Sequence, residues 1–359
     1  MHLSRIASER VGSAQLESKT RQVRRFLGNE QVDPQRCYAP PAELLLRRAV
    51  ASGNPIRVLV DTLELSGERQ VLMAAIAHRR RGVPVCWQVR RRTGVSDASQ
   101  QNSLLQQNSL LEALSRRMPS GGACEVIVIE IIVIGDGAFH STELMGYLSD
   151  KYPDKGWHYR PRLHSDTYVQ LSVRLSNGDW KQLGQLAPEE GGEHRYLDGV
   201  YLDGVSLTKD DPYGPVNGPV GVAICHAEGE EDPWFIATSE EKADYLTLRT
   251  YSRRMWIEEL FGDLAVGDLE EGGFHLNRSR IYQPERLSRL VMALAWSWHL
   301  RGHTCGREHV GAWVVKRGFR RLVGRTDRRN RSDSEIGRRY TQRCMTNGQP
   351  IHAGLKPYF

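Results

Sequence analysis

Three chemically versatile side chains recur at helical spacing in the stretch TYSRRMWIEELFGDL, residues 250–264. Tyr251, Arg254 and Glu258 are separated by three and then four positions, so a helix would place a hydroxyl, a guanidinium and a carboxylate on one face. A salt-bridged, solvated helix surface would explain the same pattern. If the face is functional, its carboxylate suits a metal ion and its guanidinium suits a phosphate beside that ion.

Two further acids follow apolar runs that predict buried strands. Asp61 ends the run IRVLVD, and Asp136 follows the β-branched run EVIVIEIIVIG, so we expect both at C-terminal strand ends. If the two strands are neighbours, their carboxylates meet at the edge where open α/β sheets bind ligands. A single aspartate at a strand end is usually a turn former or helix cap. Two of them together with Glu258 form a more specific set.

Three carboxylates without a nearby His or Cys favour a hard cation. Mg²⁺ takes oxygen ligands and keeps several waters, so Asp61, Asp136 and Glu258 are predicted to bind Mg²⁺, with Mn²⁺ as a substitute. Two such ions about 4 Å apart can activate a nucleophile and stabilise the leaving oxygen of a phosphodiester. Arg254 could then grip a phosphate in a bidentate manner, and the hydroxyl of Tyr251 could donate to the same phosphate.

The elements that must position these residues follow from periodicity along the chain. Residues 1–50 predict polar helices, and three strands follow from residue 56, the last two separated by RRGVP. A helix over 103–117, the strand before Asp136 and another helix come next. Short alternating runs predict a β-rich segment over 157–238. Helices return over 239–264 and over 284–300, where a Pro stands at the helix start.

Composition places the chain among soluble globular proteins. It has 359 residues, of which 40% are hydrophobic and 26% charged, and its net charge of +6 permits a polyanionic partner. Its six cysteines include no CxxC pair, which favours reduced thiols in the cytoplasm. The N-terminus lacks the apolar core of a signal peptide, and the longest apolar stretches are too short to span a bilayer. We therefore expect a cytoplasmic protein without a membrane partner.

At the acidic residues the chain resembles bacterial DDE transposases of the insertion-sequence-4 family. The helix motif of that family is Tyr, two residues, Arg, three residues, Glu, six residues and Lys, and YSRRMWIE supplies Tyr251, Arg254 and Glu258. VLVDTLEL and VIGDGAFHSTELMGYL resemble its two Asp blocks and supply Asp61 and Asp136. GGFHLNRSRI and QPERLSRLVMALAWSW resemble the region after its Glu. The resemblance covers most of the chain, from about residue 20 to about residue 350.

The resemblance implies an α/β, ribonuclease-H-like fold. In such a fold a mixed sheet with flanking helices is interrupted by a mostly β insertion, and the N- and C-terminal segments are helical. We expect a helical N-terminal segment over residues 1–50 and the first part of the catalytic core over 51–156. The β insertion would follow over 157–238, and the second part of the core, with the Glu helix, over 239–303. A basic C-terminal segment would occupy 304–359.

The resemblance also implies an activity and its partners. It implies Mg²⁺-dependent cleavage at transposon ends, followed by strand transfer by the freed 3′-hydroxyl. The partners would be double-stranded DNA, as transposon ends and target, and a second copy of the chain in a synaptic homodimer at the bacterial nucleoid. Trp234, four residues before Thr238 in WFIAT, would stack on a base flipped out near the transposon end. A core Trp in a strand is the alternative for this residue.

The basic segment over 316–343 is a second candidate contact with DNA. It contains eleven Lys or Arg residues and three acids. We expect it to contact the phosphate backbone, with Arg320, Arg321, Arg328 and Arg329 among its contacts. A solvated tail would carry the same charges and remains the alternative.

The chain departs from the family pattern where the motif Lys is expected. That position is Ala265, or Glu270 if GDLEEGG is the true counterpart, and Arg278 and Arg280 are the first candidates to replace it. Short duplications, such as YLDGV twice over 196–205, also suggest tolerated insertions or a decayed copy. Two alternatives to an active transposase therefore stay open. One is an impaired DNA-binding remnant of a transposase, and the other is a metal-dependent nuclease of the same fold.

Overall fold

The computed structural model of this chain describes most of its first 303 residues, with gaps. The described residues are 7, 14–51, 53, 55–78, 81–91, 109–118, 124–128, 157–170, 180–203, 216–265 and 276–303. Asp136, the helix predicted after it and the basic segment with Arg320, Arg321, Arg328 and Arg329 lie outside them. Within the described residues no helix is long and apolar enough to cross a membrane.

The described part of the chain has mixed α and β structure, as the sequence predicts. Its α-helices are α1 (Leu16–Leu27), α2 (Pro34–Ala51), α3 (109–117), α4 (Tyr245–Tyr251), α5 (Met255–Ala265) and α6 (Pro284–His303). Its strands are β1 (Ile56–Leu65), β2 (Arg69–His78), β3 (Arg81–Arg91), β4 (Cys124–Val128), β5 (Trp157–Tyr159), β6 (Tyr168–Gln170), β7 (Trp180–Gln182), β8 (Arg195–Asp203), β9 (Val216–Cys225) and β10 (Trp234–Thr238). The α/β class is confirmed.

The first sheet is mixed and has the strand order β3-β2-β1-β4-β5. Only two or three residues join β1 to β2 and β2 to β3, and such short connections allow antiparallel pairing alone. On the other side β1 pairs with β4 in parallel, from Ile56↔Cys124 to Val60↔Val128. β4 in turn pairs with β5 in parallel. The three strands predicted from residue 56 onward are confirmed.

The apolar run in β2 explains why this strand lies inside the sheet. Val71, Met73 and Ala75 are fully buried on one face, and Leu72 and Ala74 are buried on the other. A strand that is buried on both faces needs a continuous apolar sequence instead of an alternating one. The sequence VLMAAIA meets that need.

The second sheet is formed by the β-rich segment. Its order is β10-β9-β8-β6-β7, and the pairings are antiparallel. This sheet begins at Tyr168, whereas the sequence places the start of the insertion at residue 157. The difference arises because β5, at Trp157–Tyr159, pairs with β4 and so belongs to the first sheet. A three-residue strand carries no periodicity from which its partner could be inferred.

The chain divides into two compact units. One contains most of both sheets and comprises Ala42–Glu64 and Gln70–Leu260. The other comprises Met1–Pro41, Leu65–Arg69 and Phe261–Phe359. In this second unit the buried Arg289 of α6 donates to the carbonyl oxygens of Leu27 at 2.9 Å and Val32 at 3.0 Å, which ties α6 to the end of α1. α6 itself, at Pro284–His303, confirms the Pro-initiated helix predicted over 284–300.

Asp61 lies in the middle of β1 and not at its end. The strand continues for four residues beyond Asp61, to Leu65, so the expectation of a strand-end aspartate is wrong. The continuation is explained by TLEL, in which the buried Leu63 and Leu65 alternate with more exposed positions. Val60, just before Asp61, is nevertheless the last residue of β1 in the described register with β4. Asp61 therefore directly follows the last described pair of that parallel pairing.

Candidate functional site

Tyr251, Arg254 and Glu258 do not lie on one continuous α-helix. α4 ends at Tyr251, a 3₁₀ turn spans Ser252–Arg254, and α5 begins at Met255. The hydroxyl of Ser252 donates to the carbonyl oxygen of Arg249 at 2.8 Å, a local bond that competes with the regular helical pattern. The prediction of a single helix is therefore wrong, although the segment is helical as expected. Asp244 begins α4 with a capping box to Thr247.

The 3₁₀ turn places Arg254 against two aromatic rings. Its guanidinium carbon lies 5.3 Å from the ring centroid of Trp234 and 5.8 Å from that of Tyr251. The two rings meet edge to face, with centroids 5.4 Å apart. Tyr251 is fully buried, so it supports this cluster and does not present its hydroxyl to solvent. We call Trp234, Tyr251, Arg254 and Glu258 the aromatic–arginine cluster.

Glu258 is held by Arg254 through one of its two carboxylate oxygens. The Nη1 atom of Arg254 donates to Oε1 of Glu258 at 2.9 Å, across one turn of helix. The arginine side chain is 18% exposed and the glutamate side chain 40% exposed. Oε2 of Glu258 has no hydrogen-bond partner among the described residues. The carboxylate therefore combines a fixed orientation with an oxygen that is open to a further ligand.

Glycine at position 82 allows α5 to lie directly on β3. A Cβ atom at Gly82 would stand 3.2 Å from the carbonyl oxygen of Trp256 and 3.3 Å from Cα of Ile257. Beside this contact, Arg81 forms an ion pair with Glu259 at 2.9 Å. The backbone that precedes Glu258 thus lies so close to the sheet that a larger side chain at position 82 would require its neighbours to shift by a few tenths of an ångström.

Asp61 is buried in the same compact unit as the aromatic–arginine cluster. It is 8% exposed, and its Oδ1 accepts a hydrogen bond from the backbone N–H of Thr62 at 2.6 Å. Its predicted partner Asp136 stands eight positions after Val128, beyond the described end of β4. In the described ranges no group of three His, Cys, Asp or Glu side chains is arranged to hold a metal ion. Asp136 is not among these described residues.

Ala265, where the family pattern has Lys, is the last residue of α5 and is 5% exposed. A lysine at this position would bring an ammonium group into a buried environment, which is costly unless the chain can extend to solvent. Ala265→Lys is therefore not the clean restoration that helical spacing suggests. Of the two alternative cations, Arg280 is exposed.

The loops at one end of the second sheet are acidic. Residues 187–194 carry three acids and residues 226–233 carry four, with no Lys or Arg in either loop. The loops are joined by hydrogen bonds from Gly229 N to Glu190 Oε1 at 2.6 Å and from Gly191 N to the carbonyl oxygen of His226 at 2.8 Å. All seven carboxylates are exposed. Such a surface repels polyanions, so we do not expect it to contact DNA.

Two contacts of the site could not be found by local sequence reasoning. Gly82 is an ordinary glycine in sequence, and only the approach of α5 gives it a role. Trp234 was singled out through the family resemblance alone, and its contact with Arg254 spans twenty positions. A tryptophan at the start of a short apolar strand is the one local signal, and it does not identify the partner.

Stacking on the aromatic rings, and not the ion pair, is expected to dominate the stability that Arg254 contributes. A cation over aromatic rings in a partly buried site contributes about 1 kcal/mol. An ion pair four residues apart in a helix contributes about 0.3–0.5 kcal/mol, and the Glu258 side chain of this pair is 40% exposed. Double-mutant cycles in urea unfolding should therefore give a larger coupling for Arg254→Leu with Trp234→Leu than for Arg254→Leu with Glu258→Gln. The reverse order would mean that the ion pair holds the cluster together.

Neither protein-family models nor curated protein sequences give a match to this chain.

Proposed function

We propose that this chain is a DDE-type DNA transposase with a ribonuclease-H-like core. The observation that carries the proposal is the aromatic–arginine cluster, in which Glu258, a guanidinium and a partly exposed tryptophan come together from β10, the 3₁₀ turn and α5. The mixed first sheet and the β-rich segment that follows it support the fold, because the resemblance implies both. The proposed chemistry is cleavage at transposon ends followed by strand transfer.

The residues present fit the metal that this chemistry implies. Asp61 and Glu258 offer carboxylate oxygens, which Mg²⁺ prefers, and Oε2 of Glu258 has no partner among the described residues. Asp136 would be the third ligand. When bound, Mg²⁺ or Mn²⁺ would supply a polarised phosphodiester and an activated oxygen nucleophile.

The side chains of the cluster have separate proposed tasks. Arg254, fixed by two rings and a carboxylate, presents a preorganised positive charge to a phosphate on which negative charge develops. Trp234 is half-buried and offers ring surface on which an unpaired base could stack. Tyr251 acts through the other two, since its ring supports both and is itself buried. Trp234 and Arg254 would thus hold the DNA strand whose phosphodiester is cut.

The proposed partners are double-stranded DNA and a second copy of the chain. DNA ends and target would be bound by the cluster and by the basic segment with Arg320, Arg321, Arg328 and Arg329. A homodimer would bring two ends together in a synaptic complex. The acidic loops over 187–194 and 226–233 would face away from the DNA, because seven carboxylates would repel its phosphates.

Cleavage of labelled duplexes that carry the inverted repeats flanking the coding sequence tests the proposal. A transposase should cut these duplexes at the repeat ends in Mg²⁺ or Mn²⁺ and should leave shuffled duplexes intact. Cutting of both duplexes alike would assign the chain to the structure-selective nucleases instead. Binding without cutting, in either metal and with both repeats present, would contradict an active enzyme.

A catalytically impaired DNA-binding remnant is the second candidate, and Ala265 favours it. The position that carries Lys in the family pattern holds a small, buried side chain here. Loss of one charge-assisted hydrogen bond to a phosphate lowers a rate roughly tenfold to a hundredfold if the contact acts in the transition state. A remnant would bind the repeats with the salt dependence of a phosphate-contacting protein and would show no cleavage.

A further inference from the structure

Arg69 is a buried arginine whose hydrogen-bonding capacity is used entirely by neutral groups. It is 2% exposed, and each of its three nitrogens donates to oxygens of the same compact unit. The acceptors are the carbonyl oxygen of Ser66 at 2.7 Å, Oγ of Ser66 at 3.2 Å, the carbonyl oxygen of Asn277 at 3.2 Å, Oγ of Ser279 at 3.3 Å and the carbonyl oxygen of Ile281 at 3.1 Å. None of these acceptors is a carboxylate, so the positive charge is not neutralised by its own contacts.

The same guanidinium determines the course of residues 279–281. Its Nη1 atom donates both to the hydroxyl of Ser279 and to the carbonyl oxygen of Ile281. Because the two residues on either side of Arg280 turn towards one nitrogen, Arg280 between them is turned outward. Ser279 and Ile281 are buried, whereas Arg280 is exposed.

Arg280 occupies a backbone conformation that arginine rarely adopts. Its φ is +53°, in the left-handed region, where a side chain with a Cβ atom costs of order 1 kcal/mol. Arg280 has no hydrogen bond or ion pair within the described part of the chain. Among the described residues, Arg280 therefore presents to solvent a cation without a hydrogen-bonding or ionic partner.

An exposed aromatic residue, Tyr282, follows Arg280 by two positions. Tyr282 is 50% exposed, and its ring lies 5.0 Å above the guanidinium carbon of Arg69. Gly67, at φ +75°, leaves room for that ring, since a Cβ there would stand 2.8 Å from Cε1 of Tyr282. An exposed arginine and an exposed tyrosine over a buried positive charge suit a phosphodiester backbone, which offers oxygens to the first and sugar surface to the second.

We propose that Arg280 binds a phosphate of duplex DNA and that Arg69 is the positioning residue that turns it outward. The inference rests on the proposed function only in taking DNA as the partner. Arg280 would supply a cation to a phosphate in place of the motif lysine, whose position is the buried Ala265. The exposed ring of Tyr282 would lie against the adjoining sugar.

Binding of a short labelled duplex to the full chain across a salt series tests the contact. Arg280→Ala should flatten the slope of log affinity against log salt by about 0.9 and weaken binding at low salt by roughly tenfold, because one phosphate contact is lost. Arg280→Lys should keep the slope. Arg195→Ala is the control, since Arg195 is also an exposed arginine but stands beside the acidic loops, where it donates to the carbonyl oxygen of Leu186, and its slope should equal that of the wild type.

Arg280→Gly separates a binding role from a structural one. Glycine adopts positive φ without a steric cost, so this variant should unfold at no lower urea concentration than the wild type. Its slope of log affinity for the duplex against log salt should nevertheless be flattened as much as that of Arg280→Ala. For Arg69, the variant Arg69→Lys should weaken binding, and the double variant with Arg280→Ala should bind no worse than Arg280→Ala alone.

The outcomes separate this inference from the proposed function. Unchanged salt slopes in both Arg280→Ala and Arg280→Gly would overturn the contact even if the wild type cleaves transposon ends. If the wild type binds duplexes but never cleaves them, and both Arg280 variants lose salt dependence, the contact would be supported and the transposase activity contradicted. Absence of duplex binding by the wild type would overturn both.

Discussion

Asp61→Asn is expected to abolish Mg²⁺-dependent cleavage at matched DNA ends and to leave duplex binding largely intact. Asparagine keeps the acceptor for the backbone N–H of Thr62 but removes the negative charge that the proposed metal requires. A bound metal contributes several kcal/mol to the transition state, so the rate should fall on the order of a thousandfold or more. Single-turnover cleavage of a pre-bound, end-labelled duplex measures the effect separately from binding.

Glu64→Gln provides the matched control for Asp61. Glu64 lies three positions further along β1, on the opposite face of the strand, and its Oε1 accepts a hydrogen bond from Gln70 at 3.0 Å. Its replacement removes one acid from the same strand and should leave the cleavage rate near that of the wild type. Cleavage by Asp61→Asn at the wild-type rate would show that Asp61 is not part of the active site. Equal losses in both variants would indicate a general effect of charge on β1.

Gly221→Ala should destabilise the protein by about 1–3 kcal/mol, the range typical of overpacked cores. A Cβ atom at this position of β9 would stand 2.7 Å from the backbone N of Ala243 and 2.7 Å from the carbonyl carbon of Lys242. The backbone cannot yield easily, because Gly221 N donates to the carbonyl oxygen of Glu240 at 2.7 Å. The residues displaced lead directly into the capping box of α4. A lowered midpoint of urea unfolding would report the clash.

Gly262→Ala makes the same chemical change where there is space. Gly262 lies inside α5, is exposed and has no heavy atom within 4 Å of the position its Cβ would take. Alanine is favoured over glycine in a helix interior, so this variant should gain roughly 0.5–1 kcal/mol. If Gly221→Ala unfolded at the same urea concentration as the wild type, the close approach of β9 to Lys242 and Ala243 would be disproved.

The sequence predicted those helices and strands whose own residues carry the pattern that identifies them. A few neighbouring positions are enough to recognise the apolar run of β2, the proline at the start of α6 and the spacing of Arg254 and Glu258. The 3₁₀ turn was missed because the residue types of SRR are compatible with an α-helix. The bond that marks the turn is made by one serine hydroxyl to the preceding turn.

Non-local contacts escaped prediction because their partners are far apart in sequence. Arg69 is the first residue of the apolar strand β2, and a cation at that position usually indicates an exposed strand end. It is nevertheless buried, because its guanidinium donates to oxygens of residues more than 200 positions later in the sequence. β5 was assigned to the insertion because its pairing with β4 cannot be read from three residues. Asp61 was placed at a strand end because its charge interrupts an apolar run, although Leu63 and Leu65 resume the alternation.

The contact of α5 with Gly82 imposes an order on folding during synthesis. The hairpins of β1, β2 and β3 close loops of only two or three residues, so they can form as soon as residue 91 has left the ribosome. α5 reaches β3 from more than 170 positions later, after the second sheet has been made. Such distant contacts form last because the closure of long loops costs entropy. The nascent chain therefore holds Asp61 in place long before Glu258 exists. If the proposed chemistry is correct, a nascent chain that has not yet reached Glu258 cannot cut DNA.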